Sequence, residues 1–206
     1  MILTIMNYKG GQGKSMIAHQ LITNFGYKGY EIDPYGSLAQ RLPNEVKHIY
    51  LDTPKINNMY DDKVIFDFGG FAAIQEEEAI KESDLVIVPF IPVIESVQGT
   101  LEMLPIILKY LIKYDKPILL VPNMVAKTED MQEAINLFSD ELGVELDYYP
   151  IPYLVSIQTI INENTSSSKK VATGGFRGMP YKKANTIIQG LHQKILEYDP
   201  KNFNNS

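Results

Sequence analysis

The residues best placed to do chemistry stand near the start of the chain, in Asn7-Tyr8-Lys9-Gly10-Gly11-Gln12-Gly13-Lys14-Ser15. An apolar stretch of strand character, Met1 to Met6, leads into this run, and Met16-Ile17-Ala18-His19-Gln20-Leu21 continues from it with helical character. Strand, glycine loop and helix in that order suit the capture of phosphate. Glycines let the backbone wrap until successive N–H groups converge on phosphate oxygens, and the helix N-terminus adds its dipole. Lys14 would neutralise β- and γ-phosphates, and the Ser15 hydroxyl would meet a Mg²⁺ ion. Gly10, Gly11, Gln12, Gly13 and Met16 complete this candidate cradle.

The common phosphate-loop consensus requires a glycine six positions before its lysine, and Tyr8 stands there. The deviant form with a second lysine, Lys9-Gly10-Gly11-Gln12-Gly13-Lys14-Ser15, fits instead, and with it the chain resembles the ParA/MinD family of P-loop ATPases. Two further segments match in order. Glu31-Ile32-Asp33-Pro34 resembles the family's switch I, and Val64-Ile65-Phe66-Asp67-Phe68-Gly69-Gly70 resembles Walker B running into switch II. The resemblance implies that Lys9 reaches the nucleotide of a partner subunit across a face-to-face homodimer, and that Asp33 orients the attacking water. It further implies that Asp67 sits near Mg²⁺ and that the Gly70 N–H meets the γ-phosphate. Pro117 to Asn123 looks like the strand whose terminal Asn reads the adenine edge, although an Asn at a strand end is equally a turn former. The guanine-reading Asn-Lys-x-Asp is absent, because Met124-Val125-Ala126 follow, so ATP is the expected nucleotide. The match covers Met1 to Pro152. It departs from the family pattern at Glu31, where the first switch I Asp would stand, at Tyr35 in place of a common Gln, and in the short approach Gly26-Tyr27-Lys28-Gly29.

Elements to position these groups follow from alternating short apolar runs and longer segments of helical period, the pattern of parallel strands joined by crossover helices. Strands are expected near 2–7, 29–33, 64–68, 85–90, 117–122 and 147–151, and helices near 14–25, 72–82, 95–113, 129–142 and 181–198. Val64-Ile65-Phe66 and Leu85-Val86-Ile87-Val88 are apolar on both faces, which implies a mostly parallel α/β sheet covered by helices on either side, the three-layer P-loop NTPase fold that the resemblance also implies. The last helix should dock by Tyr181, Ala184, Ile187, Ile188, Leu191 and Ile195. Residues 164–178, with Ser166-Ser167-Ser168 and Gly174-Gly175, read as a mobile basic loop. A single domain is expected over the 206 residues.

With 45% hydrophobic and 21% charged residues the chain can bury a core. The absence of cysteine excludes disulfide scaffolds, Cys-ligated zinc, iron-sulfur clusters and thiol nucleophiles. His19, His48 and His192 lack the spacing of a helical metal pair. The apolar stretches Leu85 to Ile94 and Leu104 to Val121 are broken by prolines or charges, so no membrane span is expected, and Met1 to Met6 is an apolar run too short for a secretion signal with no basic residue before it, so a cytoplasmic location is expected.

The net charge of −6 conceals an asymmetry. Residues 1–163 hold 12 Lys+Arg against 23 Asp+Glu, while 164–206 hold 7 against 2. No carboxylate occurs from Asn164 to Leu196, yet Lys169, Lys170, Arg177, Lys182, Lys183 and Lys194 do. The first five are candidate contacts to nonspecific DNA, since lysine and arginine on phosphate give affinity without sequence preference. The ending Asp199-Pro200-Lys201-Asn202-Phe203-Asn204-Asn205-Ser206 reads as a poor membrane anchor, so no membrane partner is expected. Within the family resembled, these features fit a short plasmid-type ParA that segregates DNA with a separate centromere-binding ParB-like partner, on the nucleoid. A small-molecule synthetase or kinase on the same scaffold, and a MinD-like positioning ATPase, are the alternatives.

Overall fold

Val64–Phe68 and Leu85–Phe90 are buried along their whole length, as expected of strands covered on both faces. In the computed structural model, which describes residues 1–49, 63–70 and 75–203, they lie at the centre of a six-stranded sheet. Its strands are β1 (Ile2–Ile5), β2 (Lys28–Ile32), β3 (Val46–His48), β4 (Val64–Phe68), β5 (Leu85–Phe90) and β6 (Ile118–Pro122). They run in the order β3-β2-β4-β1-β5-β6, and every pairing is parallel. Ile5 stands opposite both Asp67 and Ile87, so the loop after β1 and the carboxylate of β4 emerge at one edge of the sheet. Ligands of open parallel sheets gather at these carboxyl ends.

Helices cover both faces. α3 (Glu76–Glu82), α4 (Ile94–Tyr114) and α5 (Thr128–Leu142) bury Ile80, Met103, Leu104, Ile107, Ile135 and Phe138 against Phe66, Val86, Val88 and Phe90. The opposite face is covered by α1 (Lys14–Phe25), α2 (Ser37–Arg41), α6 (Val155–Asn162) and α9 (Lys182–Leu196), which pack Ile17, Leu21, Leu38, Ile160, Leu191 and Ile195 on Leu3, Ile5, Ile65 and Ile87. Each such buried side chain contributes about 1.5–3 kcal/mol, which is what fixes the layers. The apolar stripe of α9 docks as its period predicts, with Tyr181 and Ile187 at its margin. Among the described residues no helix is long and apolar enough to cross a membrane.

Several expectations need correction. Residues 147–151 form no strand. Leu120 N donates to Asp147 O, Tyr149 N to Leu120 O and Ile151 N to Pro122 O, but only isolated bridges result, because Pro122 of β6 has no N–H to donate to Tyr149 O, the bond a continuous ladder needs. The short edge strand β3 and the helix α6 were not expected. Residues 164–178, read as a loop, contain α7 (Ser167–Ala172) and α8 (Gly175–Gly178). Ser166 caps α7 by accepting from Lys169 N at 3.1 Å, and the buried Ser167 donates from its hydroxyl to Asn24 or Asn185 and from its N–H to Gln20 Oε1. Polar side chains of α1 and α9 thus hold a segment whose composition carries no helical period. The expected helix at 72–82 is described from residue 76, and its positions 72–74 lie outside the described residues.

His192 of α9 stacks on Phe25 with ring centroids 3.8 Å apart, and its buried Nε2 has no hydrogen-bond partner among the described residues. Burial, assisted by the charge of Lys63, holds its pKa below the ordinary 6.5. The folded state therefore binds fewer protons than the unfolded chain, and stability should fall as pH drops below about 6.5. His192→Phe should keep the stack and reduce that loss, read as a smaller acid-side shift of the urea midpoint than in the unsubstituted protein.

Candidate phosphate-binding site

The loop between β1 and α1 is held from below by two amides. Asn7 donates from Nδ2 to Pro89 O and Thr100 Oγ1, both at 2.9 Å, and accepts at Oδ1 from Lys9 N. Gln12 accepts at Oε1 from Ile91 N and from the Ser96 hydroxyl, and donates from Nε2 to Gly10 O. These bonds tie the loop to the end of β5 and to the first turns of α4. Gly13 takes φ 94° at the start of α1, and a Cβ there would stand 2.1 Å from Asn123 Nδ2, so only glycine fits.

Lys14 is 7% exposed, and its ammonium donates to Asn7 O at 2.9 Å and Lys9 O at 3.1 Å. Burial lowers its pKa, while Asp67 and Asp33 favour its charged form. Asp67 is 2% exposed, and neither carboxylate oxygen has a hydrogen-bond partner among the described residues. Burial lifts its carboxyl to about 7, opposed by the neighbouring Ser15 hydroxyl and by Lys14. A buried carboxylate without donors beside a Ser hydroxyl is what a hard cation takes up, so the residues present fit Mg²⁺.

A cavity of about 350 Å³ opens over these groups, lined by Gly10 to Met16, Asp33, Asp67 to Gly70, Asn123, Met124, Gln158 and Ile161. It brings together all the expected phosphate-loop, switch and base-reading residues except Lys9. Lys9 is exposed at the loop's outer margin, its stem running past Gly99 of α4. Gly70 packs on the loop itself, a Cβ there lying 3.1 Å from Gly10 N. Asp33 accepts from Tyr35 N at 2.8 Å. Glu31, the departure in switch I, is buried and accepts from Leu38 N at 2.8 Å and Ala39 N at 2.7 Å, capping α2.

Asn123 is 1% exposed, donating from Nδ2 to Gln12 O and accepting at Oδ1 from Met124 N. It braces the phosphate loop and has at most one amide hydrogen left for a ligand. Gln158, which sequence reasoning missed, lies on α6 between this cavity and a small adjoining recess lined by Met16, Met124, Tyr153 and Ile157. Its half-buried amide makes no hydrogen bond among the described residues. Nothing in local sequence marks it, because α6 reaches the site only through the tertiary fold.

The basic residues gather elsewhere. Lys169 and Lys170 lie on α7, Arg177 on α8, and Lys182 and Lys183 at the start of α9. Lys170 is partly neutralised by Glu163 and lies over the Tyr181 ring at 5.2 Å. No cluster of His, Asp and Glu able to hold a metal occurs among the described residues.

No family model matches the chain, and no curated protein sequence does. Solved structures do. Apo McdA of Cyanothece superposes with a TM-score of 0.68 at 17% identity, over 94% of this chain and 98% of that one. A Borrelia burgdorferi protein assigned to plasmid partition, bound to AMPPNP, gives 0.62 at 15% over 94% and 98%. MinD of Pyrococcus horikoshii with Mg-ADP gives 0.59 at 15% over 97% and 98%. The chain shares the fold of these structures, a parallel sheet covered by helices on both faces. Within this ParA/MinD-like fold the loop after β1, the end of β2 and the end of β4 converge as the sequence resemblance implies.

Gly13→Ala should lose nucleoside triphosphate binding, because a left-handed non-glycine costs about 1–3 kcal/mol and the methyl also displaces Asn123. Calorimetric titration reads it directly. Gln158→Leu should weaken nucleoside triphosphate binding about tenfold if its amide meets the base, while competition by inorganic tripolyphosphate stays unchanged.

Proposed function

We propose that the protein is a ParA-type ATPase that binds ATP with Mg²⁺, pairs face to face around two nucleotides, and in that state binds DNA without sequence preference to drive its segregation. The observation that carries the reading is the buried Lys14 ammonium in a glycine loop at the carboxyl edge of a parallel sheet, near the buried Asp67 carboxylate of β4, which has no hydrogen-bond partner among the described residues. Such an arrangement is made for a polyphosphate and its cation.

In this reading Lys14 and the N–H groups of residues 10–15 hold the phosphates, and Met16, Asn123, Met124 and Gln158 surround the base. Ser15 and Asp67 hold Mg²⁺, which when bound supplies charge neutralisation at the phosphates. Asp33, at the rim of the cavity and able to release the Tyr35 N–H, orients the attacking water. Gly70 brings a backbone N–H toward the γ-phosphate. Lys9, exposed and without a salt bridge among the described residues, reaches the partner's nucleotide, which makes turnover depend on pairing.

Support for DNA comes from how charge divides between the layers. α5 carries Glu129, Asp130, Glu133, Asp140 and Glu141 with no Lys or Arg, on one face of the sheet. α7, α8 and α9 carry Lys169, Lys170, Arg177, Lys182, Lys183 and Lys194 with no acid, on the side of α1. A basic face on an acidic protein suits a polyanion. A centromere-binding ParB-like protein would then supply the specific site and stimulate hydrolysis, and the dimer would reside on the nucleoid in the cytoplasm.

Lys9→Ala should keep most of the ATP affinity while losing ATP-dependent pairing and turnover. Sedimentation with and without ATP decides it, and an undiminished ATP-induced dimer refutes the cross-subunit role. Asp33→Ala should still bind ATP and pair, but its turnover should fall by about a hundredfold or more, since a group that acts only on the attacking water is lost. Wild-type turnover in that variant would move the water-orienting role to another residue.

A further inference from the structure

The tip between α7 and α9 combines charge with apolar surface in a way the ATP site does not explain. Phe176 is 92% exposed and Met179 60% exposed, the former the most exposed large hydrophobic residue among those described. Both border an open groove of about 380 Å³ with Val171 and Lys182. The tip is a built structure. Gly178 is buried so close to α7 that a Cβ would come within 2.7 Å of Val171 O, and Ser167 anchors the base of α7 to Asn24 and Asn185. A side chain presented on such a support loses little freedom when it inserts into a partner.

Lys182 lines the same groove, Arg177 follows Phe176 in α8, and Lys169 and Lys183 lie on the flanking helices α7 and α9, while the nearest acid in sequence, Glu163, is already paired with Lys170. The partner is therefore anionic at its surface and apolar just beneath it. We propose that Phe176, backed by Met179, is a wedge that enters a base step of duplex DNA while the surrounding Lys and Arg hold the phosphates on either side. This rests on the DNA reading given above and deepens it. A bilayer is disfavoured by the amount and form of the apolar surface. The stripe of α9 is consumed in the core by Ala184, Ile188, Leu191 and Ile195, and one Phe with one Met does not make the apolar helix face that interfacial anchoring uses. A base step accepts a single inserted side chain and kinks around it. Binding should then bend DNA and favour easily unstacked pyrimidine–purine steps, with no fixed sequence. Two tips, one per subunit, would act on one duplex.

The experiment uses the full chain with ATP and a short duplex labelled at both ends, reading affinity by titration and bend by energy transfer at several salt concentrations. Phe176→Ala should bind about tenfold more weakly and lose the bend, yet keep the slope of affinity against salt. Lys182→Ala with Lys183→Ala should lower that slope and keep the bend in the complexes that form. Circular dichroism and the thermal midpoint confirm folding of each variant, which the exposure of these side chains favours. If Phe176→Ala binds and bends DNA as the unsubstituted protein does, the wedge is wrong while the DNA reading stands. If the unsubstituted protein ignores DNA, both fail. Binding to phosphatidylglycerol vesicles that requires Phe176, in a protein that ignores DNA, would assign the tip to a lipid surface instead.

Discussion

The Lys14 ammonium is sealed into its loop with two backbone carbonyls as its only hydrogen-bond partners among the described residues, and much else in the molecule follows from that. A buried cation without a bonded counter-charge is costly, and that cost is recovered only when an anion arrives. The loop must therefore hold its shape before the anion does. Asn7 and Gln12 fasten it to β5 and α4, and Asn123 fastens it to the end of β6. The central position of β1, between β4 and β5, is what makes all three anchors reachable. Asp67, carried to the same edge by β4, is the second half of the constraint. Its oxygens have no hydrogen-bond partner among the described residues, and a divalent cation with phosphate would satisfy this carboxylate and the Lys14 charge at once.

The two faces of the sheet are chemically unlike. Acid accumulates on α5, whereas α7 to α9 carry only basic charge. The basic layer is also the one that contains α1, which begins at the phosphate loop. His19, Gln20 and Asn24 of α1 bond to Asn164, Thr165, Ser167 and Ser168, and Asn164 Nδ2 donates in addition to Arg41 O at the end of α2. The helix that opens at the glycine loop and the helix that follows Asp33-Pro34 are thus joined by side-chain bonds to the segment that carries Lys169 and Lys170.

What could be read from sequence was what is local. The phosphate loop announced itself because strand, glycines and helix are consecutive, and β4 and β5 because doubly buried strands are continuously apolar. The stripe of α9 was visible for the same reason. Residues 147–151 misled because an apolar run suggests a strand, while Pro122 of the neighbouring β6 withholds the N–H that would complete the ladder. Residues 164–178 misled in the opposite sense, since serines and glycines suggest a loop unless Gln20, Asn24 and Asn185 are known to meet them. Gln158 and the bracing role of Asn123 depend on where α6 and β6 pack, and no spacing in the chain encodes that. Glu31 looked like a fault in switch I. It is the cap of α2, reaching farther than an Asp would.

Everything rests on whether the Lys14 cavity takes a nucleoside triphosphate. Calorimetric titration of ATP with Mg²⁺ into the unsubstituted protein and into Lys14→Ala tests this most directly. Saturable binding to the former, and at least about hundredfold weaker binding to the latter, is what a charge-assisted contact made in a buried site requires. Equal affinity in the two proteins, or no binding to either, would contradict it.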